Sequence, residues 1–154
     1  MNKKLKILFL VPRFPFGTET FILNQIVDLI DKGHIVHIFA TDRTYKKVHP
    51  KIIEYNLLEN TFFPNYPISF LKRLITFIKS FSELSSNNKR RLLKSLNIKK
   101  YGIKALKLTS FFNVYWLTKA LEEYDIVHAH FGQMSDFYFL AQDCGFLKKS
   151  KLIT

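Results

Sequence analysis

The first forty residues most restrict what this chain can fold into, because they carry a strand, a helix and a second strand in one short stretch. The run from Leu5 to Val11 is rich in Ile, Leu and Val and apolar on both faces, as in a parallel strand covered on both sides. Apolar residues then recur at helical spacing, at positions 22, 23, 26, 27, 29 and 30. Thr18 suits the N-cap of this helix and Gly33 its C-terminal stop, and His34 to Thr41 follows as a strand. The pattern predicts a βαβ unit with a right-handed crossover.

The rest of the chain continues the alternation of strands and helices. Further strands are predicted at 52–58, at 125–130 and in the final "KSKLIT". Helices are predicted at 68–83, at 101–122 and at 134–144, with "SSNNKRR" as a turn between the first two and Gly145 after the last. We therefore expect one domain over residues 1–154, an α/β fold with a Rossmann-like, doubly wound parallel sheet. In such sheets the ligand lies at the carboxyl ends of the strands, here the loops 12–19, 41–43 and 130–133.

Composition limits the classes of partner without choosing one. The 154 residues carry a formal net charge of +12, spread from Lys3 to Lys151. Such a charge attracts nucleic acid, phosphorylated substrates or an anionic membrane, and a lysine-rich genome would also produce it. Aromatic residues are frequent, but no RNA-binding signature is present, so a nucleic-acid partner is not expected.

The single cysteine and the amino terminus predict a cytoplasmic location. Cys144 alone cannot form an internal disulfide, and its expected place is the core. The opening "MNKKLKILFLVPRFPF" has a short apolar core and no small-residue cleavage site, which argues against a signal peptide. No window reaches the roughly 18 apolar residues of a membrane span.

Two histidines stand at the end of the strand in "DIVHAHFG". His128 and His130 are two residues apart, so their side chains share one face of the strand. His130 lies at the carboxyl end beside Gly132, where it can exchange a proton or hydrogen-bond a sugar hydroxyl or a phosphate. His128 is expected to lie deeper, so its substitution should cost stability while His130→Ala leaves folding intact. A structural role for both remains open, and a zinc site would need a third ligand, so no metal is expected.

The loop "FPFGTETF" is a second candidate site. It joins the first strand to the first helix, where backbone N–H groups of Gly17, Thr18 and Glu19 could approach a phosphate. The loop lacks the three glycines of a dinucleotide fingerprint and the lysine of a P-loop, so neither assignment is made. Glu19 also suits the positive start of a helix without any ligand.

The helix predicted at 68–83 has a broad apolar side and a basic side. Lys72, Arg73 and Lys79 stand opposite the apolar residues Phe70, Leu71, Leu74, Ile75, Phe77, Ile78 and Phe81. This is the pattern of a helix that lies on anionic lipid. An ordinary helix with its apolar side in the core and its cations in water has the same pattern.

These residues together resemble the opening of bacterial family 4 glycosyltransferases, which have the two-domain GT-B fold. The resemblance is to the exopolysaccharide and capsule branch, related to colanic acid glycosyltransferases. Its motifs are Phe14-Pro15, Thr18-Glu19-Thr20-Phe21, Asn24-Gln25, Gly33-His34 and the later "DIVHAHFG". They occur in the family's order at both ends of the chain, around a variable and basic middle.

The resemblance implies the amino-terminal, acceptor-binding half of a retaining enzyme that needs no metal. It implies that His130 is the catalytic candidate beside the reacting sugar, with His128 and Gly132 near the substrate. Gly17, Thr18 and Glu19 would approach the donor phosphates or the acceptor. The acceptor would be a lipid-linked saccharide at the inner membrane face, which Lys72, Arg73 and Lys79 would contact.

The resemblance also implies that the donor nucleotide-sugar binds a carboxyl-terminal domain which this sequence lacks. A further domain or a complementary chain would then supply the donor site, and these 154 residues alone would not transfer sugar. The alternative is a non-catalytic basic α/β module that docks on a membrane or a partner protein.

Overall fold

A computed structural model describes residues 3–15, 20–44, 48–120, 123–147 and 149–154. The chain divides into two compact units. Unit 1 comprises Met1–Pro64, Leu121–Asp136 and Lys149–Thr154, and unit 2 comprises Asn65–Ala120 and Phe137–Lys148.

Unit 1 contains a five-stranded sheet in which every pair of neighbouring strands is parallel. Its strands are β1 (Lys6–Phe14), β2 (Ile35–Arg43), β3 (Thr61–Phe62), β4 (Ile126–Ala129) and β5 (Lys151–Ile153). The order across the sheet is β3-β2-β1-β4-β5, which is the order of a Rossmann-like sheet. The predicted α/β fold class with a doubly wound parallel sheet is confirmed.

The central strand β1 explains why its sequence is apolar without interruption. Ile7 to Val11 are all buried, since the strand has neighbours on both edges and covered faces on both sides. Each fully buried side chain of this size contributes about 1.5–3 kcal/mol relative to exposure. This run therefore anchors the sheet, and its carboxyl end reaches the loop that precedes the first helix.

Two glycines end helices as the sequence predicts. Helix α1 (Thr20–Asp31) stops where the Gly33 N–H donates to the Ile30 carbonyl (2.8 Å) and the His34 N–H to Leu29 (3.0 Å). Helix α8 (Gly132–Asp143) ends with the same pair of bonds around Gly145. Both are Schellman motifs, and both glycines have the positive φ that the motif requires, 85° and 86°.

Substituting Gly33 with alanine should destabilise the chain by about 1–2 kcal/mol, because a Cβ is strained at φ 85°. Gly132→Ala is the matched control, since an added Cβ at either glycine meets no atom within 4 Å and only Gly33 has a positive φ. Urea unfolding of both variants measures the difference. Equal midpoints for the two would contradict the strain argument.

The third strand is not where the sequence analysis places it, so the prediction of a strand at 52–58 is wrong. Residues Pro50–Glu54 form the short helix α2, and β3 follows at Thr61–Phe62. The His49 side chain accepts a hydrogen bond from the Lys51 N–H, and Pro50 suits the first helical turn. These local signals at the start of the segment outweigh the strand propensity of its isoleucines.

Unit 2 is helical, and two predicted boundaries fail there. Its helices are α3 (Phe70–Glu83), α4 (Ser86–Leu93), α5 (Ile98–Tyr101), α6 (Ile103–Leu106), α7 (Thr109–Ala120) and the later part of α8, with a 3-10 turn at Lys94–Leu96. The predicted turn "SSNNKRR" belongs to α4, because the Ser85 hydroxyl caps the Asn88 N–H. The predicted helix 101–122 is interrupted at Gly102 and Leu108, which have positive φ of 53° and 57°.

Candidate functional site

The candidate site lies where β4 ends beside β1, within unit 1. Phe9 pairs with His128 in the sheet register, and the His130 N–H donates to the Leu10 carbonyl (3.0 Å), so β1 holds the backbone of both histidines. Both imidazoles lie on one face, with ring centroids 4.2 Å apart. The shared face that the two-residue spacing predicts is therefore present.

Aromatic rings surround this pair. Phe9 lies 4.9 Å from the His128 ring centroid and 5.4 Å from that of His130, where the two rings stack. The ring of Phe21, on α1, meets His130 edge-on at 6.1 Å. Phe9 is fully buried and Phe21 is half exposed, so the pair has a core side and a side open to solvent.

The relative depth of the two histidines is the reverse of the expectation. His130 is 9% exposed, while His128 is only partly buried. His130 follows the last residue of β4 with its side chain packed on Phe9, so its place at the strand end does not expose it. The expected order of depth is therefore wrong, and the expected stability costs of substituting His128 and His130 stay predictions.

Burial also determines the charge of the pair. Desolvation, aided by the neighbouring His128, lowers the pKa of His130 to about 4. Desolvation lowers the pKa of His128 as well. His130 is therefore neutral at pH 7, and it can donate or accept a hydrogen bond there but cannot act as a cation.

One atom of this pair has unused hydrogen-bonding capacity. The Nε2 atom of His130 is buried and has no hydrogen-bond partner among the residues that the structure describes. A buried polar atom without a partner costs about 1–3 kcal/mol. A ligand hydroxyl that formed a hydrogen bond with this atom would remove that cost, and the partly exposed ring of Phe21 lies beside it.

The turn after β4 leads directly into a helix. Phe131 has a positive φ of 68°, and the Met134 N–H donates to its carbonyl (2.9 Å). Gly132 is the first residue of α8, which begins two residues before the predicted start at 134. Gly132 thus opens a helix, and the space above its Cα is free.

His128 also faces a cavity of about 260 Å³ on the α1 side of the sheet. The polar residues of its lining are Gln25, Asp28 and His128, and the apolar ones are Ile7, Leu29, Ile126 and Ile153. Sequence reasoning did not select Phe21, Gln25 and Asp28 as site residues. Their spacing of four and three residues places them on one stripe of α1, and that signal could have identified them.

The other candidates from the sequence lie either outside the described residues or in unit 2. Gly17, Thr18 and Glu19 lie outside the described residues. Lys72 and Lys79 are exposed on α3, in unit 2. Arg73 donates from Nε to the Pro67 carbonyl (3.0 Å) and from Nη1 to the Lys107 carbonyl (3.1 Å) and the Thr109 hydroxyl (3.2 Å), so it ties elements of unit 2 together.

Two further titratable groups of the described residues, Cys144 and Asp125, do not form a reactive centre. Cys144 is buried, and burial raises the pKa of its thiol to about 11, so it is a protonated core residue at pH 7. Asp125 directly precedes β4 and accepts from the Lys6 N–H (2.9 Å), at the opposite end of that strand from His130. In the described ranges no three His, Cys, Asp or Glu side chains form a group that could hold a metal ion.

Two curated proteins are similar to this chain. It is 29% identical over 106 residues to a protein of Escherichia coli (strain K12), covering 68% of this chain and 26% of the relative. It is 31% identical over 100 residues to a protein of Salmonella typhimurium (strain LT2), covering 64% of this chain and 24% of the relative. Both are provisionally named colanic acid biosynthesis glycosyltransferase WcaL, and this chain spans about a quarter of their length. No protein-family model matches the chain, and no solved structure gives a significant match.

Proposed function

We propose that this chain is the acceptor-side part of a glycosyltransferase that builds a surface polysaccharide. The observation that carries the proposal is its similarity to two proteins named as colanic acid glycosyltransferases over about two thirds of its length. The Rossmann-like strand order supports it, because such sheets bind ligands at the carboxyl ends of their strands. The histidine pair and Phe21 lie at such an end.

In this proposal a sugar hydroxyl of the acceptor occupies the position next to His130. A hydroxyl can donate and accept, so it can pair with Nε2 of a neutral imidazole in either tautomer. His130 is held by the Leu10 carbonyl, by stacking on Phe9 and by the adjacent His128, so little side-chain freedom is lost on binding. The same neutral imidazole would then orient the attacking hydroxyl beside the reacting sugar through this hydrogen bond, which makes His130 the proposed catalytic residue.

The nucleotide-sugar donor would bind residues outside this sequence. The relatives are about four times as long as the segments that align with this chain, which leaves room in them for a second domain. The proposed acceptor is a lipid-linked saccharide at the inner membrane face, and the proposed transfer is retaining and metal-independent, as the family resemblance implies. Gly17, Thr18 and Glu19 remain candidates for the donor phosphates or the acceptor.

His130→Gln should weaken acceptor binding about tenfold, since one buried hydrogen bond is lost or misplaced. The measurement is a calorimetric titration with a short-chain prenyl-diphosphate-linked glucose in detergent micelles, and the same prenyl diphosphate without sugar is the blank. His49→Asn is the control, because it removes an exposed histidine and keeps a side-chain cap for α2. Equal binding of the sugar-linked and sugar-free lipids by the wild type would contradict the acceptor role.

The proposal that acceptor and donor bind different parts of the protein also predicts the outcome of a sugar-transfer assay. Incubated with a nucleotide-sugar and the same acceptor, this chain alone should release no nucleotide above the buffer rate, because the donor site lies elsewhere in the proposal. Robust turnover by these 154 residues would contradict it.

A second candidate function has its own observation in unit 2. The exposed apolar face of α3 favours a basic module that docks on a membrane, and this role is compatible with the first.

A further inference from the structure

Helix α3 has an inner face that packs within unit 2. The Phe77 ring meets Phe111 edge-on at 4.7 Å and stacks with Phe81 at 5.4 Å. Ser80 is buried on the same side, and Arg73 bonds to the segment that starts α7. These inner contacts attach the helix to unit 2 and do not involve Leu71, Ile75 or Ile78.

The opposite face of α3 carries a second apolar row that no described residue covers. Leu71, Ile75 and Ile78 recur at helical spacing and are 67%, 60% and 62% exposed. Ile68, just before the helix, extends the row and is more exposed still. The structure thus contains both arrangements that the sequence left open, a core-facing side and an apolar side in water. An aligned row of large aliphatic side chains in water marks an interaction surface.

Lysines border this row. Lys72 and Lys79 follow Leu71 and Ile78 directly, are seven residues apart and are exposed, so their stems can lie along the row with their ammonium groups beyond it. Arg73 is engaged in unit 2 and is left out of the surface.

Most of the net charge of the chain lies in the segment of sequence that contains this helix. Residues 65–120 contain twelve Lys and Arg but one acidic residue, Glu83, which is a net charge of +11 out of +12. The basic residues are spread along the chain, as the composition suggested, but elsewhere acidic residues offset them. The segment that carries the apolar row is therefore strongly positive, which favours an anionic partner.

A cavity of about 440 Å³ opens beside the row. Its lining includes Ile68 and Ile75 of the row, Lys72, and the aromatic residues Tyr66 and Trp116. The Tyr66 hydroxyl is buried and has no hydrogen-bond partner in the described part of the chain. Burial raises the pKa of Tyr66, so the hydroxyl stays protonated and available as a donor. The cavity lining thus combines a lysine with a tyrosine and a tryptophan, the aromatic residues that are enriched at bilayer interfaces.

We propose that α3 docks this protein on an anionic phospholipid bilayer, with Leu71, Ile75 and Ile78 at the boundary between headgroups and acyl chains. Lys72 and Lys79 pair with lipid phosphates, and the cavity receives the phosphodiester of one lipid, which accepts a hydrogen bond from the Tyr66 hydroxyl. A bilayer satisfies the apolar row and the lysines together, whereas a nucleic acid would leave Leu71, Ile75 and Ile78 against a charged backbone. The inference does not depend on the sugar-transfer proposal.

The first test is flotation of the intact chain with vesicles of phosphatidylcholine alone or mixed equally with phosphatidylglycerol. Binding should require phosphatidylglycerol, and Lys72→Glu with Lys79→Glu should weaken it about thirtyfold or more. Lys4→Glu with Lys151→Glu is the control, since it changes the net charge equally at exposed sites in unit 1. Equal losses in the two double variants would show that only net charge matters and would overturn the surface.

The second test separates the apolar row from general hydrophobicity. Ile78→Ser should weaken vesicle binding about tenfold, whereas Ile53→Ser, at an isoleucine of α2 that is 67% exposed, should leave it unchanged. Tyr66→Phe should weaken binding severalfold without lowering the melting temperature, because it removes a hydroxyl that has no partner in the free protein.

Three further outcomes would overturn the proposal. Equal binding to both vesicle types would show that the lysines do not recognise anionic lipid. A rise in melting temperature with soluble glycerol 3-phosphate, but no vesicle binding, would indicate a site for a free phosphate ester. Binding to duplex DNA without vesicle binding would indicate a nucleic-acid surface. None of these results bears on the acceptor titration, which depends on His130.

Discussion

Lowering the pH from 7 to 4 should destabilise the folded chain by about 3 kcal/mol through His130. The pKa of this imidazole is about 4 in the folded protein and about 6.5 in an unfolded chain. Protonation therefore favours the unfolded state, so this contribution is fully present above pH 6.5. It decreases as the pH falls below 6.5 and is lost below about 4. The physical cause is that a charged ring would have to remain packed on Phe9 beside His128, away from water.

Urea unfolding of the wild type and of His130→Gln at pH 7, 5.5 and 4.5 measures this effect. The variant should lose less stability across the series, because a glutamine carries no proton-linked cost. His128, His37, Asp125 and Asp143 also have lowered pKa values, and their contributions remain in both proteins. Parallel pH profiles for the two proteins would contradict the assignment to His130.

Phe9→Ala should destabilise the chain by about 3–5 kcal/mol, a large part of the 5–15 kcal/mol typical of a folded domain. Phe9 is fully buried in the central strand, and its ring contacts both site histidines. Its removal leaves a cavity in the sheet's main core and takes away the surface that holds the imidazoles. We expect weakened acceptor binding together with the loss of stability.

The midpoint of urea unfolding at pH 7 measures the loss, and two variants define its cause. Phe9→Leu keeps most of the volume and should cost less than about 1.5 kcal/mol. Phe139→Ala removes a half-exposed ring of α8 and should change stability by less than about 0.5 kcal/mol. If Phe9→Ala were no worse than Phe139→Ala, the core role of Phe9 would be wrong.

Strong periodic signals made much of the fold predictable. The apolar run of β1, the stripe of α1 and the helix stops at Gly33 and Gly145 all act within a few residues, so their effects show in the sequence. Two of the failures occurred where a local cap decided between alternatives. His49 with Pro50, and Ser85, start helices in segments whose composition suggested a strand and a turn.

The candidate site was predictable in position but not in environment. Strand periodicity places His128 and His130 on one face, because side chains alternate along any strand. Their depth depends on what lies beneath and beside them, and Phe9 and Phe21 come from other elements of unit 1. The low pKa of His130 and its unpartnered Nε2 follow from that packing.

The sequence by itself determined the βαβ start, the parallel sheet, the shared face of the two histidines and the basic, amphipathic character of α3. These properties depend on periodicity and on residue chemistry, which are local. Only the tertiary structure decided which histidine is buried and which side of α3 stays in water. The reason is that burial is a property of neighbours. Phe77 turns inward because Phe111 offers it a contact, and Phe81 stacks on Phe77. Leu71, Ile75 and Ile78 are left outward on the same helix.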